Sequence, residues 1–273
     1  MDSASRPLAI QRPANTLKVT QARVARSEWT KLHSLRSTRW SLLVAVVLTI
    51  GFPLLFATIL ASRRNAQQGH HHTPLEVALA GVNISQLAIA VLGALLITGE
   101  YSTGMIRATF TAVPKRLPVL WAKLAVYALV SFLLMLPCVV IAFFASQAIL
   151  SRHPSLQISF SHPGVARAVI GGAVYLMLIG TFALALGAII RNTAGGIAAF
   201  AAIFFVIPPL LNVLPTNWNN AISPYLPDSA ARAVFQLTHD THSLSPGPGA
   251  ALFCGYNALA ITIAAVLLRR RDT

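Results

Sequence analysis

Acidic side chains are nearly missing from this sequence. Seven Asp and Glu stand among 273 residues, and charged residues of both signs make up only 10%, where a soluble domain carries roughly 25%. That scarcity excludes a water-soluble globule, and the 55% hydrophobic content excludes a disordered chain, which must be poor in apolar residues. Cysteine is equally rare. Cys138 and Cys254 both fall inside apolar runs and read as small buried apolar residues, so neither a disulfide nor a cysteine-based metal site is expected. No G-x-x-x-x-G-K-[ST] loop is present, and the polar stretches are too short to hold a nucleotide-binding domain. Any work done with ATP must come from another chain. A repeat of fixed period is also lacking, and the first and second halves show no correspondence, which weighs against a secondary transporter built from inverted repeats.

What the sequence has in abundance is apolar length. A membrane-crossing helix needs about 20 apolar residues to span about 30 Å of hydrocarbon, and six runs qualify: 40–61, 79–98, 124–149, 168–190, 195–214 and 250–268. Helices rather than barrel strands follow from these lengths and from the absence of alternating polarity. The fold class expected is an all-α membrane protein with six spans forming one domain over 40–268. It is preceded by a flexible terminus over 1–18 and an amphipathic segment over 19–39, and followed by a basic tail over 269–273. The polar, basic start and the length of the first run predict no cleaved leader.

The net charge of +14 raises the question of nucleic acid, but no stacking motif or zinc-ligand spacing accompanies it, and no nucleic-acid partner is expected. Placement of the charge suits a membrane better. With the N-terminus in the cytoplasm, only Arg63, Arg64, Arg152, Arg167 and Arg232 of the 21 basic residues lie outside. The positive-inside rule then places both termini in the cytoplasm. Over 19–39, Ala22, Ala25, Trp29, Leu32 and Leu35 recur at helical spacing, while Arg23, Arg26, Lys31 and Arg36 fall mostly elsewhere. This predicts a helix lying on the inner leaflet with membrane lipid as its partner.

Two loops carry information. The stretch from Gly99 to Lys123 reads GEYSTGMIRATFTAVPKRLPVLWAK; a helix capped by Ser102 or Thr103 and ending before Pro114 would align Met105, Ile106, Thr109, Phe110 and Val113 on one face. The segment from Pro215 to Gly249 is external and unusually long for a passive connection. Its short apolar stretches around Pro224 and Pro227 suggest segments dipping into the outer leaflet.

Chemistry-bearing residues are sparse within the six runs, which contain no Asp, Glu, Lys or His. Proton relays and ion-coupled transport thereby lose their usual residues. Asn83, Ser85, Gln86, Gln147, Asn212 and Asn257 remain; Asn83, Ser85, Gln86, Asn212 and Asn257 are candidates for a substrate path, and interhelical hydrogen bonds are the competing explanation. His70, His71 and His72 are adjacent rather than spaced as ligands, so no metal site is expected. An intramembrane serine protease would need a His at membrane depth, and the SRHPSLQISFSH string lacks the second His of a lipid-phosphate phosphatase, with Ile158 in its place. No catalytic residue is expected.

Four strings stand out together: RSEWTKLHSLRSTRW at 26–40, TGEYSTGMIRATFTAVPKRLPVLWAK at 98–123, SPYLPDSAARAVF at 223–235, and the terminal AVLLRRRDT. With Glu100, Gly104, Thr111, Pro114, Arg116 and Lys123 in order after the second run, the chain from Val19 onward resembles permease subunits of type-2 ATP-binding-cassette exporters in their six-span actinobacterial form. The resemblance implies a location in the bacterial cell membrane. It also implies a second permease subunit, identical or similar, and a separate ATPase subunit that holds the ATP and Mg, with no cofactor on this chain. Carried over residue by residue, Glu28, Lys31, Glu100, Met105, Arg107 and Phe110 become candidates for coupling to that ATPase. The cargo implied is a lipid, drug or peptide-like molecule. The competing readings are a non-transporting membrane scaffold or regulatory anchor and a lipid-modifying enzyme.

Overall fold

The computed structural model describes residues 21–34, 36–62, 73–105, 116–152, 157–237 and 243–270; among these there is no β-strand. The helices are α1 (Gln21–Ser34), α2 (Arg36–Ser62), α3 (Pro74–Ser102), α4 (Arg116–Ile149), α5 (Val165–Ile190), α6 (Thr193–Ala201), α7 (Ile207–Leu211), α8 (Thr216–Ile222), α9 (Pro227–Arg232) and α10 (Pro246–Arg270). Six stretches are long and apolar enough to cross a membrane: α2, α3, α4, α5, the continuous α6 to α7 stretch, and α10. The protein is a multi-pass membrane protein.

The helices overrun the apolar runs at most ends. The second span begins at Pro74 rather than 79 because Thr73 and Glu76 form a capping box, each side chain satisfying a backbone N–H of the other's turn. Its far end runs to Ser102, and α4 starts at Arg116, so the 99–123 stretch is helical at both ends. Ser102 and Thr103 stand at the C-terminal end of α3, and the helix expected to follow them lies, past Met105, outside the described residues. Both hydroxyls turn back to donate to the Gly99 carbonyl, at 3.0 and 2.8 Å, and Thr103 closes α3. The stripe expected on this loop lies, apart from Met105, outside the described residues.

At the centre of the bundle, α3 and α5 pack along their length and are the most buried of the spans. Glycine makes their approach possible: a Cβ built at Gly93 would overlap the Gly180 carbonyl oxygen, and one built at Gly180 would overlap the Tyr127 hydroxyl. Small residues let helix backbones touch where lipid supplies no hydrophobic drive. Tyr127 uses the same crossing to donate to the Ile89 carbonyl at 2.7 Å. From α5 to α6 the chain reverses through Arg191, in the left-handed conformation, and Asn192, whose side chain accepts from Gly195 N at 2.8 Å.

Pro208 and Pro209 bring more than a simple kink to the fifth span. Lacking N–H groups, they cannot serve the carbonyls one turn earlier, and the ladder slips to a π turn over Ala202–Val206, with the Ile207 N–H reaching the Ala202 carbonyl. Within the slip, Phe204 is buried against Phe182 and Phe253, and the buried Phe200 before it stacks on Phe204. Beyond it, no residue of α7 or α8 is buried. Asn212 falls just past α7, exposed, rather than inside a span.

Two further points differ from expectation. The buried face of α1 is Val24, Glu28 and Leu32, and its apolar stripe divides, with Leu32 turned inward and Ala22 and Trp29 exposed, because the helix turns its one carboxylate toward a lysine of α4. Cys138 is buried as expected, but Cys254 is exposed; it lies one residue beyond Phe253 on α10, whose inner face is Phe253, Asn257, Ala260, Ala264 and Leu268.

Candidate functional site

Two of the four lysines and two of the seven acids in the chain meet at one place. Lys123 of α4 donates to Glu28 Oε2 of α1 at 2.5 Å and to Glu100 Oε1 of α3 at 3.0 Å, and reaches the Leu96 carbonyl at 3.4 Å. Lys31 of α1 contacts Glu28 Oε1 and Glu100 Oε1, each at 2.9 Å. The result is a charge-neutral quartet in which two ammonium groups bridge two carboxylates and fasten three helices. Lys123 is 2% and Glu28 3% exposed.

Geometry and charge balance explain how so polar a group sits there. A buried ion is tolerated when it is paired and its remaining hydrogen-bonding capacity is used, and here each charge has at least two polar contacts. Burial pushes the Lys31 ammonium toward losing its proton, but its hydrogen bonds to Glu100 and Glu28 outweigh burial and hold its pKa above the ordinary lysine range. Glu100 Oε2 is buried with no hydrogen-bond partner, the one acceptor of the quartet left over. The arrangement is suited to joining helices.

Of the residues expected to couple to a partner, Glu28, Lys31 and Glu100 therefore come together, but pointing at one another and at Lys123. Met105 lies one turn past α3, 45% exposed. Arg107 and Phe110 lie outside the described residues. Lys123 was legible only as part of the family pattern. Its pairing could have been suspected from scarcity: a lone lysine at the start of an apolar run needs a carboxylate, and few are available.

A second polar cluster occupies the opposite end of the bundle. Arg232 of α9 contacts Asp228 at 2.8 Å and Asn83 of α3 at 2.7 Å. Gln86 accepts from the buried Tyr175 hydroxyl, Tyr175 stacks edge-on against Phe235, and Arg167 donates to the Val234 and Gln236 carbonyls. The segment after the fifth span is thus docked on α3 and α5, with Ala230, Ala231 and Phe235 buried. A cleft with about 410 Å³ of empty space opens beside it, lined by Thr73, Glu76, Leu79, Asn83, Arg232 and Gln236.

Of the substrate-path candidates, Asn83 lines that cleft. Ser85 is buried and bonds back to Val82 O, Asn257 pairs with Thr181 across α10 and α5, and Asn212 accepts from Asn219. Gln147 receives the Ile158 N–H. The five do not line one continuous surface. His162 is exposed; His70, His71, His72, His153, His239 and His242 lie outside the described residues.

Asp228 gives this second cluster a pH signature. Burial raises its carboxyl above the ordinary range, against the pull of Arg232. A carboxyl that holds its proton more tightly folded than unfolded makes the protein lose stability as pH rises through that interval. Arg232→Ala removes the opposing charge and moves the folded value higher. The expected cost is about 2–4 kcal/mol at neutral pH, from one buried carboxylate without its partner, shrinking as pH falls through the new value. Melting in detergent from pH 8 to pH 5 checks this; a penalty independent of pH would contradict it.

A scan against protein-family models finds no match for the chain, and a search of curated proteins finds none either. The fold and its two polar clusters define a multi-pass α-helical membrane protein in which a short N-terminal helix is locked to the ends of two spans.

Proposed function

We propose that the chain is the permease subunit of an ATP-binding-cassette exporter, carrying a lipid, drug or peptide-like cargo across a bacterial cell membrane. It works with a second permease subunit and with a separate ATPase that binds ATP and Mg. The observation that carries the reading is the quartet: Glu28 and Lys31 on α1, Glu100 at the end of α3 and Lys123 near the start of α4 are one rigid junction. A push on α1, or on the segment that begins at Met105, reaches two spans at once through that junction. In this reading the α1 end faces the cytoplasm, α1 lies along the inner leaflet, and closure of the ATPase dimer tilts α3 and α4 between two packings. The family resemblance of the 98–123 stretch supports it, as does the exposure of Met105, which follows Glu100 closely in sequence.

Detergent pull-down of the tagged chain from its native host tests the proposal. Wild type is expected to bring down a P-loop ATPase, and a Met105→Asp, Phe110→Asp variant to lose it while the Glu28–Lys123 junction keeps the protein folded. Absence of any ATPase with folded wild type would overturn the transporter reading and favour the scaffold.

A further inference from the structure

Sequestration of Glu28 has a consequence for the outside of α1. Between Gln21 and Ser62 the sequence holds one acid and five cations: Glu28 against Arg23, Arg26, Lys31, Arg36 and Arg39. The quartet consumes Glu28 and Lys31. Arg23, Arg26, Arg36 and Arg39 are left exposed, and among the described residues none has a carboxylate partner. The exposed surface of the corner between α1 and α2 is therefore purely cationic; helical spacing already pointed this helix at lipid, and the structure adds that its one acid is withdrawn from that surface.

Its geometry is fixed. Arg39 Nε donates to the His33 carbonyl at 2.8 Å, tying the first turn of α2 to the last turn of α1, and Trp29 packs edge-on against His33. Arg26, Trp29 and His33 share one exposed stripe of α1 at i, i+3 and i+7. Trp40, 67% exposed, follows Arg39, where α2 enters its apolar run. An exposed tryptophan beside an arginine at the start of a membrane helix matches the headgroup boundary, where amphipathic rings and cations both find partners.

We propose that this corner binds anionic phospholipid headgroups, with Arg23, Arg26 and Arg39 contacting phosphate and Trp29 and Trp40 seated at the acyl boundary. Charge complementarity selects the lipid class: guanidinium forks match phosphodiester oxygens, and no exposed carboxylate of α1 or α2 repels them. The two tryptophans select a membrane-embedded phosphate over a free one. The surface requires only the membrane-spanning fold and would operate with or without an ATPase.

The test uses the full chain purified in a neutral detergent and offered equal amounts of phosphatidylglycerol and phosphatidylcholine, with retained lipids counted by native mass spectrometry. Wild type is expected to prefer phosphatidylglycerol. An Arg23→Gln, Arg26→Gln, Arg39→Gln variant is expected to lose about tenfold of that preference, since each basic group near the surface contributes separately. The corresponding Arg→Lys triple keeps most of it, and Arg269→Gln, Arg270→Gln, at the same end of the bundle but without an adjacent tryptophan, lowers it by less than the α1–α2 triple does. Should the triple variant misfold by circular dichroism, Arg26→Gln alone, on an exposed side chain, must still lower the preference at least twofold. Equal retention of both lipids by wild type, an undiminished preference in the glutamine variants, or displacement of phosphatidylglycerol by glycerol phosphate at the same concentration would overturn the proposal.

Discussion

Lys123→Met is expected to destabilise the folded protein by about 3 kcal/mol, the lower part of the range for removing one partner of a buried ion pair. Methionine keeps the volume but leaves Glu28 and Glu100 buried with only Lys31 to serve both. Lys31 contacts both carboxylates at 2.9 Å, which is why the loss is not larger. Its own replacement, Lys31→Met, should cost less than about 1 kcal/mol, because its side chain is partly exposed, water screens it, and Lys123 remains. Adding Glu28→Gln to Lys123→Met should recover part of the loss, since the excess negative charge is gone. Reversible unfolding in mixed micelles of wild type, these three variants and Glu28→Gln alone measures the differences and closes the Lys123–Glu28 cycle. A Lys31→Met effect as large as that of Lys123→Met would mean that Lys123 does not anchor the quartet.

The Lys123 result also bears on the proposed transport function. If the quartet transmits motion from α1 to α3 and α4, the Lys123→Met, Glu28→Gln protein should keep its ATPase partner but lose stimulation of ATP turnover by cargo. A mere packing role would leave turnover unchanged once stability is restored.

The second large effect is expected at the crossing of α3 and α5. Gly93→Val should cost about 3 kcal/mol or more, the upper end for overpacking a well-filled interior. A branched side chain there must displace the Gly180 backbone, and no rotamer can move it aside because the first overlap is at Cβ. Gly51 on α2 and Gly255 on α10 meet nothing within 4 Å, so alanine at either should be neutral or slightly stabilising through helix propensity. Melting temperature and the yield of monodisperse protein in one detergent compare the three; equal yields would show that α3 and α5 are not held in contact.

Much of the fold was legible because hydropathy is a sum over neighbours. Each apolar run is long enough to demand a span, and lipid accepts only helices or closed barrels. The ends were less legible. Thr73 with Glu76 sets the start of α3 through a capping box that a hydropathy boundary at residue 79 passes over. The slip in the fifth span shows the same limit: Pro208 and Pro209 remove two N–H donors, but nothing local dictates that the ladder answers with a π turn.

The candidate site was legible as residue types and not as an arrangement. Glu28, Lys31 and Glu100 stood out through the family resemblance alone. The stripe of Ala22, Ala25, Trp29, Leu32 and Leu35, however, did not show which face α1 would bury. Burial of Val24, Glu28 and Leu32 follows from the pull of Lys123 on Glu28, an interaction across 95 positions of sequence. The same is true of Arg232 with Asn83, 149 positions apart.

By itself the sequence determined that this chain is a bundle of six membrane-crossing helices, with few charges and an excess of cations, since those properties depend only on composition within each segment. The tertiary structure decided where the charges go: Lys123 between Glu28 and Glu100, Arg232 against α3, and four arginines of the α1–α2 corner left facing outward. Helical periodicity gives the side of a helix on which a residue lies, but the partner on that side is set by how distant helices pack. In a low-dielectric interior, the few charges present then choose their positions by finding one another.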